Sequence, residues 1–304
     1  MTACIIVIGM MDITGAALNV CIERRISIFF LRYNGKFNGK LVFDDSKHTL
    51  LRLKQHLTAE NEKFAFPIAK SIVLGKTLNE YLFMQRIQRK LPDNKEIINS
   101  LVQVKRIRKS LEELDSRIES IRGFEGSIAR LYFRTLRFNI ICDWTQFNCR
   151  TKNPPRDEVN ATLSFLYTLL ACKVDTEIML EGLDDSVGTL HDFSYGRKSL
   201  VFDLMEEFRT PLVDTTVCAM FNQGTLTAND FRNEKDIDGD SVVLLNESGI
   251  RKSIMNFERK LEQNHGYLDT GRTLTYQNII KHQVEQYKQY IRGELDRYQP
   301  QIIT

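Results

Sequence analysis

The hydrophobic period of the chain changes once, near residue 62, and that change constrains the fold more than any single motif. Before it, residues 5–8 and 26–30 are runs of β-branched and aromatic residues. Tyr33, Asn34, Gly35 and Lys36 then form a turn signal ahead of a third strand over 41–43. Between the first two runs, Ala16, Ala17, Val20 and Cys21 recur at helical spacing over 13–23. After residue 62 glycine becomes sparse and apolar residues return every three or four positions. This predicts helices over 63–90, 94–120, 125–139, 157–182, 197–222, 249–262 and 275–297. A break at 148–156, with Pro154 and Pro155, separates two of them, and Asp157 is the natural N-cap of the next. The reading is an α+β chain, with a small β-rich amino-terminal domain and linker over 1–61 and a large all-α catalytic domain over 62–304.

Several classes are excluded. The 304 residues, 42% of them hydrophobic with sixteen glycines and six prolines, suit a globular core and not a disordered or collagen-like chain. The longest apolar runs, 5–8 and 26–31, fall far short of the ~20 residues a membrane helix needs. No basic segment precedes an apolar stretch as in a signal peptide, because the first positive charges are Arg24 and Arg25. The six cysteines form no CxxC pair and read as reduced thiols, so a cytoplasmic protein is expected. Residues 223–248 read as a surface loop or short hairpin. Within it DIDGD (236–240) resembles a calcium loop only superficially, since the EF-hand spacing and terminal glutamate are missing.

The net charge of +3 conceals a division along the chain. Between Lys63 and Lys109 eleven basic residues face three acids, and between Asp175 and Glu207 nine acids face two bases. The basic stretch is either a solvated helical face or a phosphate-binding surface. The acidic stretch calls for water or a cation to relieve its repulsion.

Within that acidic stretch, residues 197–209 carry one apolar stripe of Leu200, Val201, Leu204, Met205 and Phe208. Asp203 and Glu206 then share another face, about 60° apart on a helical wheel, where both carboxylates can aim at one ligand. His191, in a loop just before this helix, can add an imidazole nitrogen, a mixed set suited to Mg²⁺ or Mn²⁺; its alternative is a structural, hydrogen-bonded histidine. A third ligand must come from elsewhere. Glu125, between two glycines at a helix start with Arg130 and Arg134 nearby, is a candidate, the alternative being capping or dipole compensation.

Four ordered segments then carry a family resemblance. RGFEGSIAR (122–130), NPPRDEVNATLSFLY (153–167), GLDDSVGTLH (182–191) and GRKSLVFDLMEEFR (196–209) resemble the motifs of the CRISPR-associated spacer-integration endonucleases. Residues 13–35 and AKSIVLGK (69–76) also fit, and the wording of the last helix is most similar to subtype I-C enzymes. The resemblance implies a β-rich amino-terminal domain on an α-helical catalytic domain. It places the metal ligands on Glu125, His191 and Glu206, with Asp203, Arg130 and Arg134 supporting. It implies a metal-dependent integrase using Mg²⁺ or Mn²⁺, in which a spacer 3′-hydroxyl attacks a phosphodiester at the repeat edge. Implied partners are double-stranded DNA (spacer precursor and CRISPR repeat), a second copy in a homodimer, and a small ferredoxin-like CRISPR-associated protein. The alternatives are a general metal-dependent nuclease without integration, or a DNA-binding scaffold. Two departures stand out. The family carries several more strands before the segment matching 5–8, which bears on dimer formation, and Asp185 stands where proline usually follows Gly-Leu-Asp.

Overall fold

The computed structural model describes residues 4–42, 46–115, 117–152, 154–192, 194–235, 239–268 and 270–302. The amino-terminal strands are β1 (Cys4–Ile8), β2 (Ser27–Leu31) and β3 (Phe37–Leu41), in the order β1-β2-β3. Helix α1 (Gly15–Glu23) crosses between β1 and β2, which is why those two pair in parallel. β2 and β3 form an antiparallel hairpin, closed by Arg32 N–H donating to the Lys36 carbonyl at 2.9 Å. Pairing starts directly after that turn, so β3 lies upstream of the expected 41–43, and Phe43 is outside the described residues. The sheet is covered on both faces. Ile28 packs with Val7 and Cys21 under α1, whereas Phe29 and Leu31 point into the main core.

A helix follows where only a linker was expected: α2 (Thr49–Glu60). Its conspicuous leucines, Leu50, Leu53 and Leu57, are exposed, and it buries Leu51 and Gln55 instead. The apolar pattern therefore did not mark its inner face.

The helical part is built around α3 (Glu62–Lys90), which packs on α4 (Lys95–Glu113), α5 (Ile118–Leu136) and α7 (Ser199–Phe208). α4 is shorter than the expected 94–120. Asn94 caps its start by accepting from the Glu96 and Ile97 N–H groups at 3.0 and 3.1 Å. α6 (Glu158–Leu180) is buried on nearly every side, and Asp157 caps it by accepting from Asn160 N–H at 2.8 Å, as expected. The predicted helix over 197–222 divides into α7, a π-helical turn over Arg209–Asp214, and α8 (Thr215–Asn222). Pro211 has no N–H to donate, which accounts for the widened turn there.

Two hairpins decorate this helical part: β4 (Phe231–Lys235) with β5 (Ser241–Leu245), and β6 (Asn264–Tyr267) with β7 (Arg272–Thr275). The first lies where a loop or hairpin was expected; Asp236 and Asp238 of the superficial calcium motif lie outside the described residues. The second falls in the gap between the helices predicted over 249–262 and 275–297, and both hairpins correct the expectation of an all-α domain. α9 (Glu247–Leu261) and α10 (Tyr276–Arg292) complete the chain. No described helix is long and apolar enough to cross a membrane, and all six cysteines are unpaired.

Candidate metal centre

α3, α5, α6 and α7 surround a cavity of about 1080 Å³, and the β2–β3 turn closes one side of it. Gly35 in that turn has φ +76°, and a Cβ there would stand 2.9 Å from the Phe165 ring of α6, so the turn reaches the cavity only because the residue is glycine.

The loop over 182–192, which carries His191, is held from three helices. Gln55 of α2 donates to the Asp184 and Val187 carbonyls at 2.9 and 2.8 Å and accepts from Asp184 N–H. Arg122 of α5 donates to the Leu190 carbonyl at 2.6 Å and pairs with Asp192 at 2.5 Å. Asp203 of α7, fully buried, accepts from the N–H groups of Thr189, Leu190 and His191 at 2.6, 2.9 and 3.0 Å. Asp203 also meets His191 Nδ1 at 2.7 Å. Gly188 makes this approach possible, since a Cβ there would stand 2.5 Å from Asp203 Oδ2.

The chemistry of His191 follows. A carboxylate already accepting three N–H bonds accepts a fourth from Nδ1–H, which leaves the Nε2 lone pair for a cation. Asp203 does not share a ligand with Glu206, as the helical wheel suggested. Its two oxygens are taken up by the His191 ring and the backbone N–H groups of the loop instead.

Glu125 and Glu206 are brought together by a cation of the protein itself. Lys76 Nζ of α3 bridges the Glu125 carboxylate and Glu206 Oε2, the latter at 2.7 Å. Arg209 Nε pairs with the same Glu206 oxygen at 2.9 Å. Burial pushes the Glu206 carboxyl up, but Arg209 and Lys76 outweigh it and hold it at about 2. Lys76 is likewise shifted against its burial, held protonated by Glu206 and Glu125. Among the described residues no three His, Cys, Asp or Glu side chains close to metal-ligand spacing. The ammonium stands between two of the expected ligands. A position already filled by one cation, flanked by two carboxylates, in a cavity also lined by His191 whose Nδ1 is held by Asp203, fits Mg²⁺ or Mn²⁺ chemically.

Glu125 is not at a helix start. α5 begins at Ile118, whose N–H donates to Glu62 Oε1 at 3.3 Å, and the two glycines flanking Glu125 lie inside the helix. Capping and dipole roles are thereby removed for Glu125, whose side chain is 28% exposed to the cavity. Arg130 and Arg134 are exposed on α5 and do not line the cavity; Arg134 lies 4.0 Å from Glu96.

The acidic stretch is not one repulsive patch. Asp175 pairs with Lys40 and Lys198, Glu181 with Lys288, Asp185 with Lys40, and Asp192 with Arg122. Glu207 turns away from the cavity to Tyr298, Gln283 and Gln301. Nor does the basic run supply the cavity's charge. Of it only Lys76 lines the cavity, and the other cations there are Lys36, Arg150, Lys152, Arg197, Lys198, Arg209 and Lys235. Lys76 was the residue easiest to miss. Its signal is a lysine following Gly75 within an apolar run, where a solvated lysine would be out of place.

Comparison with known proteins gives a consistent picture. Residues 2–259 match the family profile described as CRISPR associated protein Cas1. The chain is 31% identical over 298 residues to CRISPR-associated endonuclease Cas1 3 of Thermus thermophilus, covering 97% of this chain and 84% of the relative. It is 35% identical over 259 residues to CRISPR-associated endonuclease Cas1 of Leptospira interrogans, covering 83% and 99% respectively. The fold is similar to a Cas1 protein from Thermotoga maritima, with TM-score 0.79 over 96% of this chain and 86% of that one at 24% identity. A casposase bound to integration product gives TM-score 0.81 over 95% and 77% at 23% identity.

Proposed function

The chain belongs to the Cas1 family of CRISPR-associated proteins, and we propose that it is a metal-dependent DNA endonuclease and integrase that inserts new spacer DNA into a CRISPR array. The 3′-hydroxyl of a spacer strand attacks a phosphodiester at the repeat edge, so one P–O ester is exchanged for another and no nucleotide cofactor is needed. One observation carries the assignment to this site. Glu125 and Glu206 converge on a single cationic position in a cavity also lined by His191, whose Nδ1 is held by Asp203. The endonuclease names of the relatives, and the integration product held by a protein of similar fold, support the reaction class.

A divalent ion bound by Glu125, His191 and Glu206, Mg²⁺ or Mn²⁺, supplies Lewis-acid polarisation of the phosphate and neutralises charge developing on its oxygens. The protein's own residues do the rest. Asp203 keeps the Nδ1 proton on His191 and fixes its ring. Lys36, Lys152 and Arg197 line the cavity and meet backbone phosphates without regard to sequence. Tyr33 and Phe37, both exposed at the β2–β3 turn, offer faces on which unpaired bases stack. Double-stranded spacer precursor and repeat DNA are the substrates. A second copy of the chain and a small ferredoxin-like CRISPR-associated protein complete the proposed assembly.

The test incubates the purified chain with a short duplex, a supercoiled plasmid carrying a repeat, and Mn²⁺. Duplex joined to plasmid is expected for the parent and lost for Glu125→Gln, His191→Ala and Glu206→Gln. Nicking without joined product would replace integration by a general nuclease. DNA binding that ignores chelator, with no cleavage, would leave only a scaffold.

A further inference from the structure

Glu80 stands on α3 one helical turn beyond Lys76, so both side chains project to the same face and line the same cavity. The Glu80 residue is only 3% exposed, yet its Oε2 has no hydrogen-bond partner among the described residues. A buried carboxyl oxygen without a partner is costly, and this one faces a site already rich in carboxylates. Lys76, meanwhile, occupies the position between Glu125 and Glu206 that a divalent ion would need. An ammonium and a divalent ion cannot share that position, because their repulsion at contact distance in a buried site is large.

We propose that Lys76 is a counter-ion with two seats: it bridges Glu125 and Glu206 while no divalent ion is bound, and it moves to Glu80 when one binds. Glu80 thus sets the affinity of the centre for its cation without touching it. The electrostatics agree. Burial, with Glu125, Glu206 and Asp214 adding to it, pushes the Glu80 carboxyl up to about 8, and Lys76 is the one neighbour that pulls it down. The inference rests on the assignment of Glu125 and Glu206 as cation ligands.

The test measures Mn²⁺ affinity of the full chain by calorimetry or by the electron paramagnetic resonance of free Mn²⁺. Glu80→Gln removes the second seat and should weaken binding about tenfold; Lys76→Met removes the competitor and should tighten it about tenfold. In the Lys76→Met background, Glu80→Gln should have no further effect. An unchanged affinity in Glu80→Gln overturns the proposal. So does an equal loss in both backgrounds, which would make Glu80 a direct ligand. Should Lys76→Met fail to fold, Lys76→Gln, which also removes the competing charge, takes its place in the same comparison. If Glu125→Gln binds Mn²⁺ as the parent does, the ligand assignment fails instead, so the two failures are distinguishable.

Discussion

Replacing Asp203 by asparagine isolates the orientation of His191 from every other feature of the site. Asp203 Oδ2 accepts from Thr189 and Leu190 N–H, and Oδ1 accepts from His191 N–H and Nδ1. An asparagine keeps one oxygen, and its amide nitrogen must face the other pair of donors. Two hydrogen bonds to a charged acceptor are lost, at about 1.5–3 kcal/mol each, and at least one buried N–H is left without a partner. The expected loss is therefore at least ~3 kcal/mol, a lowering of the melting temperature by about 5 °C for a chain of 304 residues. If the amide faces the ring, it donates to Nδ1 and moves the imidazole proton to Nε2, which removes the lone pair a cation needs. Loss of such an orienting group typically costs 10–100-fold in metal affinity, so Mn²⁺ binding should weaken by about that factor. Gly188→Ala should produce the same lesion from the opposite side by crowding Asp203 Oδ2. Scanning calorimetry and Mn²⁺ titration are the assays. A parent-like melting temperature together with parent-like Mn²⁺ affinity in Asp203→Asn would refute the orientation role.

Three further outcomes are expected. Asp185→Ala removes the 2.6 Å pair with Lys40 that ties β3 to the loop before His191; because both groups are partly exposed, the cost should be about 1 kcal/mol, read as a lower urea midpoint. Asp230 is nearly buried, which alone would raise its pKa, but Lys252, Ser248 and Thr227 hold the carboxyl below its usual value. Its contribution to stability is thus present above about pH 4 and lost as pH falls further, and Asp230→Asn should flatten melting temperature against pH on the acid side. Arg130→Ala and Arg134→Ala, exposed and away from the cavity, should leave Mn²⁺ affinity at the parent value, as titration will show.

Helices were legible in the sequence wherever one apolar stripe coincided with burial. α7 is the clearest case: Leu200, Val201, Leu204, Met205 and Phe208 are all buried. α2 was hidden because its leucines face outward and the work of its inner face is done by Gln55, a polar residue that periodicity does not score. The start of α5 was misplaced because glycine is read as punctuation. Inside a long helix packed on α3 and α4, two glycines cost only about 1 kcal/mol each, and tertiary packing absorbs that. The order of the four motifs named the family, and the family model and relatives bear that out, while the subtype finds no support in them. Chemistry at a distance was not legible. Asp203 on a wheel looks like a ligand beside Glu206, and only the folded loop shows it spent on three backbone N–H groups and an imidazole. Lys76 lay in a run of basic residues whose other members line no part of the cavity, and linear charge counting cannot separate one inward lysine from its solvated neighbours.

The most direct test of the central claim is Mn²⁺ stoichiometry and affinity, measured side by side for the parent, Glu125→Gln, His191→Ala and Glu206→Gln. One cation per chain in the parent, lost or weakened at least tenfold in each folded variant, is the predicted result. A folded His191→Ala chain that binds Mn²⁺ as tightly as the parent would contradict it.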